Sequence, residues 1–261
     1  MAVEDPFLRI DELTLSFGGV TALYELSLLI AKGGFYGVIG PNGAGKTSLL
    51  NCINGHYSAQ RGRILLEGND ITSSPPHRIA RLGVARTFQK IELFTQLSVL
   101  ENVKLGRHVL MKSSPWSCFL RLPGMVEEEF KHRRELEAEV IDFLGLSPFR
   151  NQTVANLPYG IRKRVDLARA LAMKPKLLLL DEIMSGMSIE EKEDLATYLL
   201  DIHRETGMTI IWIEHDLAAV MEFSSYVVVL NFGRKIAEGT PSQVQSNPAV
   251  IEAYLGTVGG R

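Results

Sequence analysis

Hydrophobic positions outline the elements of this chain before any residue is given a chemical role. Leu13, Leu15 and Phe17 alternate with polar neighbours, Gly18-Gly19 follows, and Leu26, Leu28 and Ile30 alternate again. A period of two on both sides of a Gly-Gly turn predicts antiparallel strands with one buried face. GRILLEG (62–68) reads as a further strand. Elsewhere the apolar runs are unbroken: FYGVI (35–39), LLLL (177–180), TIIWI (209–213) and YVVVL (226–230). Such strands belong in a sheet covered on both faces. Apolar residues at helical spacing separate them: Leu49, Leu50 and Ile53; Val165, Ala168, Leu171 and Ala172; and Leu195, Leu199 and Ile202. Ser188 with Glu191 makes a capping box for the last of these helices, and Asp216 caps another. Buried strands alternating with helices predict a parallel-sheet α/β core with an antiparallel β-layer at its N-terminal end.

Between residues 90 and 163 the composition turns toward polar helices. Residues 125–145 predict a charged helix, with Glu127, Glu128 and Glu129 early and Phe130, Leu136, Val140, Phe143 and Leu144 on one stripe. The expected organisation is one domain over 1–261. Its core is 1–89 plus 164–261, interrupted by a helical subdomain at 90–163.

Charge and cysteines narrow the class. The formal net charge of −2 provides no overall basic field for nucleic acid. The short basic clusters RKR (162–164) and KHRR (131–134) read as solvated helix faces. Cys52 and Cys118 stand alone, without CxxC or histidine neighbours, which excludes a disulfide framework and a zinc site and fits a reducing compartment. MAVEDPFLRI carries acids where a secretory leader carries bases, and no apolar run reaches the ~18–20 residues of a membrane helix. A cytosolic location follows, with any membrane reached through a partner.

The chemistry is concentrated at GPNGAGKT. Gly40, Pro41, Asn42, Gly43, Ala44, Gly45, Lys46 and Thr47, followed by Ser48, lie between a buried strand and a helix. This matches GxxxxGK[ST] in spacing and in context. Its glycines let successive N–H groups curl around phosphate oxygens. Lys46 would reach the β/γ-phosphates and Thr47 would offer a hydroxyl to Mg²⁺. LLLLDE ends a buried strand at Asp181 and Glu182, where carboxylates at the C-terminal end of a parallel strand face the ligand crevice. Asp181 would bind Mg²⁺ through water, and Glu182 would be the base for an attacking water.

The order of this loop, then Gln89, LPYGIRKR (157–164), LLLLDE and IEHD with His215 resembles the ATP-binding cassette (ABC) transporter ATPases over nearly the whole chain. LSFGGVTAL, NLPYG and NPAVIEAYLG are similar to the ATPases of branched-chain amino acid uptake. The resemblance implies a P-loop NTPase (RecA-like) fold, ATP and Mg²⁺ as ligands, and a dimer sandwiching two nucleotides. It also implies membrane permease subunits, a second ATPase subunit and a substrate-binding protein as partners, no nucleic acid, and a place at the cytoplasmic face of the membrane. By position, Phe17 would stack on adenine, Gln89 would contact Mg²⁺ and the water, and His215 would reach the γ-phosphate. Leu157, Tyr159 and Gly160 would face the other subunit's nucleotide. The chain departs from the family's LSGGQ at Pro158, Tyr159 and Ile161, and from its Asp-Glu-Pro at Ile183. A lipid or lipopolysaccharide export ATPase and a poorly hydrolysing regulatory subunit are the alternative transport readings. A nucleotide-gated clamp on DNA or ribosomes is the reading from another class.

Overall fold

The computed structural model describes residues 6–107 and 137–255. They form two compact units. Of the described residues, the first comprises 6–86, Lys176–Ser185 and 199–255, and the second 87–107, 137–175 and Gly186–Tyr198. The boundary expected between 163 and 164 falls inside one continuous helix, Tyr159–Leu171, which belongs to the second unit.

The first unit holds two sheets. Strands β1 (Leu8–Phe17), β2 (Val20–Ile30), β4 (Arg61–Leu66) and β5 (Asn69–Asp70) make an antiparallel sheet in the order β2-β1-β4-β5. The strand expected over 62–68 therefore stops at Leu66. Glu67 and Gly68, at φ 47° and 77°, turn the chain into β5. The other sheet contains β3 (Phe35–Ile39), β6 (Val84–Arg86), β7 (Leu177–Asp181), β8 (Thr209–Ile213), β9 (Tyr226–Asn231) and β10 (Arg234–Gly239). Its order is β10-β9-β3-β8-β7-β6, parallel except for the β9–β10 hairpin. β3, β7 and β8 are buried at every position, as their unbroken apolar sequences predict.

Helix α1 (Lys46–Ile53) follows β3. Leu49, Leu50, Cys52 and Ile53 join one core with inward residues of β1, β2 and β4 and with Val38, Leu179, Ile211 and Val228 of the parallel sheet. Burial pushes the Cys52 thiol up to about 12, so it stays protonated and inert at neutral pH. Alternate residues of the same strands face the opposite core. Phe35 packs on Trp212 at 5.2 Å between ring centres, and the Trp212 indole N–H donates to Ser224 Oγ at 2.8 Å. A fully buried Trp therefore has its polar atom satisfied.

In the second unit, α3 (Val99–Arg107) packs on α4 (Tyr159–Leu171), following the short α2 (Pro76–Arg81) of the first unit in the chain. The approach is close at Gly106, where an added Cβ would lie 2.0 Å from the Arg169 carbonyl oxygen. Gly106→Ala is expected to destabilise the fold by about 1–3 kcal/mol through overpacking, read as a lower midpoint in chemical denaturation. The buried Asn102 ties down the loop before α3. Its side-chain oxygen accepts from the Phe94 N–H at 2.9 Å, and its amide donates to the carbonyls of Phe94 and Ser98, each at 3.0 Å.

Of the helix expected over 125–145, residues 125–136 lie outside the described residues. Glu137–Asp142 is a π-helical stretch, Val140 and Leu144 are buried, and Phe143 meets Tyr198. Cys118 and KHRR (131–134) also lie outside. The other basic cluster is not a solvated face. Lys163 is 1% exposed, and Arg164 pairs with Asp194 at 3.0 Å while covering the Tyr198 ring. Helical spacing is the reason: Lys163, Leu167 and Ala170 fall on one buried stripe.

Helices α5 (Ile189–Thr206), α6 (Leu217–Phe223), α7 (Pro241–Gln245) and α8 (Pro248–Leu255) complete the chain. The expected caps are present. Ser188 and Glu191 exchange hydrogen bonds, and Asp216 accepts from the Ala219 N–H. Among the described residues, no helix is long and apolar enough to cross a membrane.

Candidate functional site

The loop from Gly40 to Gly45 joins the C-terminal end of β3 to the N-terminus of α1. Gly45 caps the helix in left-handed backbone, φ 98°, and a Cβ there would lie 2.4 Å from the Ala22 carbonyl oxygen. Only glycine fits this turn. The Ala44 N–H donates to the Pro41 carbonyl at 3.1 Å, and the Ala44 carbonyl accepts from Gly233 at 3.0 Å, which locks the loop to the β9–β10 turn. Asn42, Gly43 and Thr47 are exposed and Ser48 is half-buried on the first turn of α1, where helix N–H groups favour an anion.

Lys46 is buried and folds back over the loop. Its ammonium donates to the carbonyls of Gly40 at 2.7 Å and Pro41 at 3.1 Å. Burial pulls its pKa below the ordinary lysine value, partly opposed by the charges of Glu182 and Asp181. A buried cation held by weak carbonyl acceptors is ready to exchange them for phosphate oxygens. Behind the same loop, the Tyr254 hydroxyl of α8 shares a backbone hydrogen bond with Gly40, and burial raises its pKa.

β7 delivers the acids. Asp181 is 1% exposed and sits with Oδ1 3.4 Å from the Thr47 hydroxyl and Oδ2 2.8 Å from Arg86. Glu182 follows at φ 51°, a left-handed backbone that costs a non-glycine residue about 1–3 kcal/mol. Its N–H donates to the Ile213 carbonyl at 2.9 Å, which secures the turn. Its Oε1 lies 2.7 Å from His215 Nε2. Since a carboxylate only accepts, this contact places a proton on Nε2. The neighbouring Glu214 is buried and accepts the Met184 N–H at 2.9 Å, bracing the loop after Glu182 against the loop that carries His215.

Phe17, at the end of β1, is 46% exposed and edge-packed on Tyr57 at 5.0 Å. It falls outside the core despite alternating with Leu13 and Leu15. Phe17, Gly40–Ser48, Asp181, Glu182 and His215 all belong to the first unit. Gln89, Leu157, Tyr159 and Gly160 belong to the second. There the Lys163 ammonium donates to the Gln89 carbonyl at 3.1 Å. Pro158 is the N-cap of α4, Leu157 is buried, and Tyr159, the first helical residue, packs its ring on Gly186. The Glu191 carboxylate covers Gly160.

The sequence reading does not single out Arg86, Asn51 or Glu214. The signal for Arg86 was a charge closing the apolar VA of a strand only three residues long. For Glu214 it was an acid directly after the buried TIIWI.

A strand, a glycine-turned loop, a helix starting with a buried lysine, and an acid pair on a neighbouring parallel strand define a nucleotide-binding P-loop ATPase. Within that class the chain belongs to the ABC transporter family, which residues 23–185 match. Residues 234–259 match the branched-chain amino acid ATP-binding cassette transporter family. The high-affinity branched-chain amino acid transport ATP-binding protein BraF of Pseudomonas aeruginosa is 36% identical over 251 residues, 96% of this chain and 98% of its own length. LivG of Escherichia coli K12, described in the same words, is 35% identical over 254 residues, covering 97% and 99%. A nucleotide-free ATP-binding cassette from an ABC transporter superposes with a TM-score of 0.82 at 31% identity, covering 95% of this chain and 98% of that one.

Proposed function

We propose that this chain hydrolyses ATP to power a branched-chain amino acid importer, working as one of two cassettes at the cytoplasmic face of a membrane. The observation that carries the reading is the lysine folded onto the Gly40 and Pro41 carbonyls, with Asp181 beside the Thr47 hydroxyl and Glu182 beside His215. The substrate class is supported by relatives named as branched-chain amino acid transport proteins and by the match over residues 234–259.

In this reading Lys46 and the N–H groups of residues 43–48 bind the β/γ-phosphates. Thr47 and Asp181 offer a hydroxyl and a carboxylate 3.4 Å apart, hard oxygen donors that fit Mg²⁺. When bound, Mg²⁺ neutralises charge on the phosphates. Glu182 accepts a proton from the attacking water, and His215 holds that carboxylate and reaches the γ-phosphate. Tyr159, exposed at the start of α4 with Leu157 and Gly160 buried beside it, faces the γ-phosphate of an ATP held by a second subunit, although Pro158 supplies neither hydroxyl nor N–H there. The loop fixed by Asn102 presents Phe94, 58% exposed, to a permease helix.

Purification of the tagged chain from membranes tests the assignment. Recovery of permease subunits and of ATPase activity stimulated by an amino acid-loaded binding protein is expected. Recovery of a lipid-export membrane complex instead would overturn the substrate class. Phe17→Ala tests the base site. Nucleotide affinity should fall by roughly 1–3 kcal/mol if the ring stacks on adenine. The melting temperature should barely move, because the ring is half in solvent. Unchanged affinity measured by titration calorimetry would remove Phe17 from the site.

A further inference from the structure

The carboxylate of Asp181 is bound from two sides. β6 ends at Arg86, whose backbone pairs with Leu179, two residues before Asp181. The Arg86 side chain is 5% exposed. One of its terminal nitrogens donates to Asp181 Oδ2 at 2.8 Å and the other to Asn51 Oδ1 at 2.6 Å. Asn51 lies on α1, the helix that begins with Lys46 and Thr47. The other Asp181 oxygen faces the Thr47 hydroxyl at 3.4 Å. The guanidinium therefore spans α1 and the end of β7, and it divides the labour of the two carboxylate oxygens.

This arrangement uses properties that only arginine combines. Its planar fork serves two acceptors at a fixed separation, and its charge is permanent. With Oδ2 committed to Arg86, the carboxylate cannot rotate freely, and Oδ1 stays on the side of Thr47.

We propose that Arg86 is a positioning residue of the phosphate site. By clamping Asp181 against Asn51 it aims Oδ1 at Thr47, and so determines how much of the ATP affinity depends on magnesium. The inference rests on the proposed reading of Thr47 and Asp181 as the magnesium side of the site. Asn51 is the second arm of the clamp.

The test is titration of the full-length chain with a fluorescent ATP analogue, in MgCl₂ and in EDTA, taking the dissociation constant in EDTA divided by that in MgCl₂. In Arg86→Met that ratio is expected to fall by about tenfold or more, as for other residues that orient metal ligands, with affinity in EDTA within about twofold of the unaltered chain. Arg86→Lys keeps the charge but lacks the planar fork that reaches Asp181 and Asn51 at a fixed separation, so it should recover part of the ratio. Asn51→Ala, which leaves the ion pair in place, should lose less than Arg86→Met. If Arg86 were only a tie for the edge strand, thermal unfolding would shift while the ratio stayed unchanged, or affinity would fall equally in both buffers. Either result overturns the proposal. Should Arg86→Met fail to fold, an unchanged ratio in both Arg86→Lys and Asn51→Ala overturns it as well. Asp181→Asn separates the two levels of the argument. Loss of the magnesium effect there, with its retention in the Arg86 variants, defeats the role of Arg86 and leaves the site intact. No magnesium effect in the unaltered chain defeats both.

Discussion

Glu182→Gln is expected to bind MgATP as tightly as the unaltered chain while hydrolysing it about 10²–10⁴-fold more slowly. The substitution keeps the side chain's shape, and a glutamine carbonyl can still accept from His215 Nε2, 2.7 Å from the present oxygen. The left-handed backbone at this position is no worse for Gln than for Glu. The change therefore removes the proton acceptor and little else. Because the proposed pair of cassettes opens only after hydrolysis, the variant should accumulate as an ATP-bound dimer. Size-exclusion chromatography with MgATP would show the shift from monomer to dimer. Hydrolysis by the variant at the original rate would rule out Glu182 as the base.

Lys46→Ala attacks binding itself. A hydrogen bond to a charged group contributes about 1.5–3 kcal/mol, so nucleotide affinity should fall roughly tenfold to a hundredfold. The ammonium also holds the carbonyls of Gly40 and Pro41, so the loop loses an internal tether together with its phosphate contact. Both losses act in one direction on affinity. Melting curves without nucleotide would separate them, since only the tether affects the nucleotide-free protein. Undiminished affinity in the variant would sink the phosphate-loop assignment.

Both predictions concern residues legible from local spacing alone. GPNGAGKT between a buried strand and a helix, and an acid pair closing four leucines, are short-range patterns whose geometry follows from the strand–turn–helix they encode. The Ser188–Glu191 cap was legible for the same reason. What escaped depends on chain partners remote in sequence. β6 is only three residues long and becomes a strand because β7 lies beside it, so nothing local marks Arg86 as the neighbour of Asp181. β10 carries Arg234, Lys235 and Glu238 and is recruited by β9 across the Phe232-Gly233 turn. Three consecutive bases predict a solvated face, but Lys163 lies on the stripe of the buried Leu167 one helical turn later. Phe17 continues the alternation of Leu13 and Leu15, yet at the strand's end it is half exposed against Tyr57, as a ring available for stacking would be.

The strand order has a consequence for the order of events on the ribosome. β1, β2 and β4 lie close together in the chain and can pair soon after they emerge, since local contacts carry little loop-closure entropy. β3 cannot behave this way. Its two neighbours are β8 and β9, with Phe35 beside Ile210 and Tyr36 beside Tyr226. The strand that carries the phosphate loop precedes both partners by more than 160 residues and waits, apolar on both faces, until they have been translated. Nucleotide competence thus waits for β8 and β9, and the interval before them is when FYGVI is most exposed to misassembly.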